Sequence, residues 1–168
     1  MLSHLLLMRL AIVTVAGCVL AIWAHANGFI TPIFAADVSR LSYAIVALFV
    51  TGLVSTFVRA AKVSEAINRH KADRRADAAK RRKAAKSADK NAHIGAIAGW
   101  LQVLGILGTV VGFSIAIGGL EGDETTVVLE GLRTAIGTTI LGGFLSLWTS
   151  VNAQMLDTAT AGFVEDVR

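Results

Sequence analysis

The sequence predicts an all-α membrane protein with four transmembrane helices and a short, helical, basic segment on the cytoplasmic side. Three observations carry this. Hydrophobic residues make up 54% of the chain and mean hydropathy is +0.63, above the roughly 45–50% apolar content of soluble domains. The apolar residues gather in four runs, each close to the roughly 20 residues a helix needs to cross the hydrocarbon. Finally, 12 of the 16 Lys and Arg residues fall between Arg59 and Lys90, between the second run and the third. The net charge of +4 is thus one basic block in a chain that is otherwise neutral to acidic.

The first span is expected near 5–24. Arg9, close to its start, reaches the interface by snorkelling, and Trp23, His25, Asn27 and Gly28 mark the far boundary. Arg9, the apolar stretch and Ala24-His25-Ala26 also fit a cleaved signal peptide, although the run is long for an h-region of roughly 7–15 residues. Pro32, the only proline, is expected in the connection. Cys18 has no second cysteine to pair with and reads as a small buried hydrophobe.

The second span is expected near 41–61. Its Ser42, Thr51, Ser55 and Thr56 can bond back to the preceding turn, and Gly52 is its one candidate for a close helix contact. From Lys62 to His93 the chain is rich in Ala, Lys and Arg and has neither Gly nor Pro, so the second span should run on into water as a helix. Asp73, Asp77 and Arg81 add little by surface pairing. The basic block abuts an apolar run, which suits the inner face of a membrane rather than nucleic acid.

The third and fourth spans are expected near 97–118 and 132–152. Between them Gly118-Gly-Leu-Glu-Gly-Asp-Glu124 reads as a turn, and the connection carries Glu121, Asp123, Glu124 and Glu130 with no Lys or Arg. The positive-inside rule then puts both termini and the basic segment in the cytoplasm and the acidic loop outside. Arg133, near the outer end of the fourth run, is the exception. Four units follow: two N-terminal transmembrane helices (1–61), the basic helical cytoplasmic segment (62–96), a transmembrane helix pair (97–156) and a short cytoplasmic tail (157–168).

The helix pair carries the functional signal. Gly105, Gly108 and Gly112 lie within eight residues, and Gly108-Thr-Val-Val-Gly112 is a small-residue motif that lets backbones approach where lipid offers no hydrophobic drive. Gly137, Gly142 and Gly143 do the same for the fourth span. Thr134 and Thr138 stand one turn apart on one face, with Thr139 to the side. A threonine in a span usually bonds to its own helix; several opposite a glycine-rich span with its own Thr109 suit a hydrated path or a partner's polar group. No carboxylate lies deep within any run, whereas pumps and transporters usually keep an ionisable group there. If ions move here, the titrating group belongs to another chain. No paired nucleophile and base, metal set or cofactor motif suggests an enzyme.

Leu104-Gly-Ile-Leu-Gly-Thr-Val-Val-Gly-Phe113 and Gly131-Leu-Arg-Thr-Ala-Ile-Gly137 resemble the two signature helices of the MotA/TolQ/ExbB proton channel family. The resemblance covers about residues 98–156. It implies a homopentamer in a bacterial inner membrane, surrounding two copies of a single-span ExbD/TolR/MotB-like partner whose membrane aspartate carries a proton or sodium ion. On that resemblance Thr109 and Thr134 face the aspartate and Thr138 sits one turn further along the ion path. The implied function is an ion-channel subunit of a stator or energy-transducing complex; the alternative is a non-conducting membrane scaffold or assembly protein. Membrane lipid is an expected contact, and nucleic acid and cofactors are not. Where members of the family often carry a proline, this chain has Gly142-Gly143. The cytoplasmic segment of about thirty residues is too short for a large rotor-gripping domain, which suits an energiser of outer-membrane transport, or a small stator, better than a flagellar motor.

Overall fold

The computed structural model describes residues 2–72, 91–122 and 124–166, and all of its regular structure is helical. Five helices follow in order: α1 Leu2–Ala26, α2 Ile30–Ala36, α3 Leu41–Ala72, α4 Ala92–Glu121 and α5 Thr125–Asp166. Four contain segments long and apolar enough to cross a membrane: Leu6–Ala26, Leu41–Glu65, Ala92–Glu121 and Thr125–Gly162. The protein is a membrane protein with four spanning helices.

The helices outrun the expected spans. Apolarity marks only the part of a helix that lipid solvates, and the backbone bonds continue beyond it. Thus α3 runs on to Ala72, α5 begins seven residues before the expected fourth span, and it continues through the expected tail to Asp166. Asp73, Asp77 and Arg81 lie outside the described residues. The hairpin turn is short: the Gly122 N–H bonds the Gly118 carbonyl at 3.3 Å, and the Glu124 N–H bonds that of Gly119 at 2.8 Å.

The connection between the first two spans is not a plain loop. It holds α2, with Pro32 in its first turn, where a missing N–H leaves no bond unmade. Arg40 then takes φ 56° to turn the chain back. Asp37 ties this turn down: its carboxylate accepts the Ser39 hydroxyl at 2.6 Å and the Ser42 N–H at 2.7 Å, the latter an otherwise open donor at the start of α3. Burial pushes the Asp37 carboxyl up, but these hydrogen bonds outweigh it and hold the group below its ordinary value of 3.8.

The α4–α5 hairpin is the spine. Its buried residues repeat with period seven: Gly105, Gly112 and Gly119 on α4, and on α5 both Gly131, Thr138, Leu145, Asn152 and Ala135, Gly142, Thr149, Leu156. That is the spacing of a left-handed coiled-coil seam. Toward the turn the seam is glycine, alanine and threonine; toward the other end it is Leu101, Leu145, Ile94 and Leu156. The pair is therefore tight at one end and filled by large side chains at the other, where α1 and α3 add theirs. Ile45 and Phe49 of α3 join Leu101, Leu145 and Trp148, while Leu6 and Leu10 of α1 join Ala60, Val63, Ile94 and Leu156.

Glycines set the remaining approaches. A β-carbon at Gly52 would come within 2.8 Å of Ile97, and one at Gly17 would overlap the Trp148 ring. Cys18, expected to be buried, is exposed instead. Only one face of α1 meets the rest of the chain, and Gly17 occupies it.

Candidate functional site

The tight half of the hairpin is built backbone to backbone. A β-carbon at Gly142 would stand 2.7 Å from the Gly105 α-carbon and 2.8 Å from the Leu101 carbonyl oxygen, and one at Gly105 would stand 3.1 Å from the Thr138 carbonyl oxygen. A β-carbon at Gly112 would overlap the Ala135 backbone, and one at Gly108 the Thr138 side chain. Gly137 meets Ile33 of α2 rather than α4, and Gly143 faces outward with nothing within 4 Å of a β-carbon. Four of the six glycines singled out in the sequence thus meet in the α4–α5 seam.

Such contact brings hydroxyls together at mid-hairpin. The Thr109 hydroxyl bonds the Gly105 carbonyl at 3.2 Å and also meets the Thr139 hydroxyl across the seam. Thr139 bonds in turn to the Ala135 carbonyl at 2.8 Å. This pair lies at the edge of the seam, open on one side, among the exposed apolar side chains Ile106, Val110, Ile136 and Ile140. Thr134 and Thr138 lie on the inner side and are fully buried. Thr138 bonds the carbonyls of Thr134 at 2.8 Å and Ala135 at 3.3 Å. Thr134 donates instead to the Ala36 carbonyl at the end of α2.

The electrostatic setting is nearly neutral. From Ile94 to Leu120 α4 carries no charge, and between Glu130 and Asp157 α5 carries only Arg133. Those two acids are about 40 Å apart along the helix, more than the roughly 30 Å of bilayer hydrocarbon. The hairpin therefore offers hydroxyls and backbone carbonyls to the membrane interior and no carboxylate. Among the described residues, no three or more His, Cys, Asp or Glu side chains gather as a metal-binding group.

The model of the MotA/TolQ/ExbB proton channel family matches residues 49–168, well over half of the chain. The chain belongs to the MotA/TolQ/ExbB proton channel family. No curated protein and no solved structure matches it. The family region takes in most of α3 and all of α4 and α5, so it includes the glycine seam and all four threonines. α1 and α2 lie outside it.

Set against the sequence expectations for a MotA/TolQ/ExbB chain, the structure separates the three threonines. Thr109 reaches the surface, whereas Thr134 and Thr138 face the chain's own interior. Thr139, left to one side in the sequence reading, is the hydroxyl that pairs with Thr109. The heptad spacing 131, 135, 138, 142 was the available signal: it puts Thr138 in the seam, with Thr134 and Thr139 flanking it on opposite sides.

Proposed function

We propose that the protein is the ion-conducting subunit, for protons or sodium ions, of a stator or energy-transducing complex in a bacterial inner membrane. In this reading five copies surround two copies of a single-span partner whose membrane aspartate binds the ion, and ion flow is coupled to mechanical work. The basic segment faces the cytoplasm and the acidic loop the opposite side, as charge asymmetry directs.

The observation that carries the reading is the open Thr109–Thr139 hydroxyl pair on a family helix hairpin that has no acid of its own within the hydrocarbon. A carboxylate brought there by a partner is costly to ionise, and hydroxyls within hydrogen-bond reach steady its charged form and hold water for the proton. Thr109 and Thr139 form the surface part of the proposed path; Thr134 and Thr138 form its inner part, with their hydroxyls engaged in the chain.

The test is Thr109→Val combined with Thr139→Val, which removes two hydroxyls and keeps the branched shapes. In the complex purified from its own membranes and sealed into vesicles, ion flux should fall about tenfold or more, since a hydrogen bond to a charged group contributes about 1.5–3 kcal/mol. Assembly should be unchanged, and Thr51→Val, whose hydroxyl bonds only the Ala47 carbonyl at 2.9 Å, should conduct normally. Full flux in the double variant, with wild-type assembly, would reject the role given to the two hydroxyls, and absence of flux from the wild-type complex would return the chain to the non-conducting scaffold reading.

A further inference from the structure

We propose that α2 is a latch that holds the fourth-span path threonine, Thr134, out of service, so that the conformation described is a closed one. This rests on the channel reading above and goes beyond it by assigning a regulatory role to a segment outside the family region.

Three observations converge on α2. At seven residues it is too short to persist as an isolated helix, because helix nucleation is costly, so its order depends on what it docks against. Its docking surface is α5: Ile33 sits on Gly137, and Ala36 is buried with its carbonyl accepting both the Val38 N–H at 2.9 Å and the Thr134 hydroxyl. That carbonyl is one of the open acceptors at a helix end, and Thr134 is 1% exposed beneath it.

The segment is hung between two special turns. Gly28, exposed and at φ 75°, joins it to α1 with open space around it. On the other side the Asp37–Ser39–Ser42 bonds and left-handed Arg40 join it to α3. α2 is thus a strap with a permissive end and a fixed end, lying across one face of α5. While docked it occupies the Thr134 hydroxyl and covers Gly137, and neither an ion nor a partner's carboxylate can reach that hydroxyl. Once undocked, the same face presents a free hydroxyl beside a glycine, which leaves room for a side chain from another helix.

The geometry supplies its own test. An ideal β-carbon at Gly137 would lie 3.4 Å from the Ile33 β-carbon, close to the separation that a disulfide spans, about 3.5–4.5 Å. In a Cys18→Ser background, Ile33→Cys with Gly137→Cys should cross-link on oxidation and pin α2 down. The complex would be purified from its own membranes through a tag on this chain and sealed into vesicles holding proton- and sodium-sensitive dyes. The latch requires flux to be lost in the oxidised protein and restored by dithiothreitol, with each single-cysteine variant indifferent to both. Equal flux before and after reduction, with the bond verified by mass, overturns the latch and leaves the channel reading standing. Absence of flux from wild type and reduced protein alike removes the channel reading, and the latch with it. Failure of the bond to form contradicts the docked contact itself and likewise overturns the latch.

Discussion

At the scale of single residues, Asp37 links a sequence feature to an observable. The return turn needs a left-handed residue and finds Arg40 there, whose side chain has no acceptor for the first N–H groups of α3; the Ser39 hydroxyl takes that of Leu41 at 3.3 Å. Asp37 supplies the acceptor for that of Ser42 from three residues before Arg40, and its carboxyl is held below 3.8. A folded-state pKa below the unfolded one contributes stability above the unfolded value and loses it as pH falls through the folded one. Thermal stability in detergent should therefore drop as pH is lowered below about 4. Asp37→Asn should abolish that part of the pH dependence while costing about 1 kcal/mol at neutral pH, the usual magnitude for a lost helix cap. An unchanged acid limb in the Asn variant would assign the transition to other carboxylates.

The threonines show how far sequence reaches at this scale. Thr109 was legible because glycines on either side mark its helix face as a close contact. Thr134 and Thr138 were legible as neighbours on one face, but a face has no direction until its partner helix is known. Thr134 turned out to be bonded to a carbonyl 98 residues away, a distance over which no spacing rule operates.

At the scale of helices, the four spans were readable because lipid imposes a length and a composition together. α2 was not: Pro32 marked only a connection, and the helix packs Ile33 and Ala36 against a face of α5 that no local pattern announces. The contrast between Gly112 and Gly143 tests how the hairpin is held. Gly112→Val must force its added atoms into the Ala135 backbone, and backbone cannot give way as a side-chain tip can. Its cost in detergent stability should reach or exceed the roughly 1–3 kcal/mol typical of overpacking. Gly143→Val adds the same atoms to a face with open space and should leave the stability of the isolated chain within about 0.5 kcal/mol of wild type. Comparable losses in both variants would show that intrinsic helix geometry, and not the approach of α4 to α5, governs the response.

For the whole molecule, the proposed orientation rests on charge alone and can be tested apart from conduction. Single cysteines in place of Ala79 and Gly122, in a Cys18→Ser background, sit in the basic segment and in the hairpin turn. With an impermeant maleimide on intact cells, position 122 should label and position 79 should label only after the membrane is opened. The reverse pattern would invert the molecule and move the proposed ion path end for end.

The contact between Gly17 and Trp148 has a consequence for how the chain is made. The groove that receives α1 is formed by a tryptophan translated on the order of ten seconds after it, at ribosomal rates of about 5–20 residues per second. Until then α1 must rest in lipid with its glycine face unfilled, a tolerable wait because hydrocarbon solvates its apolar side chains as well as protein does. The hairpin, closed by a short turn, needs only local contacts to zip. The Gly17 contact of the first helix made is therefore completed only once the last helix has been made, although Leu6 and Leu10 can meet Ala60 and Val63 of α3 before that.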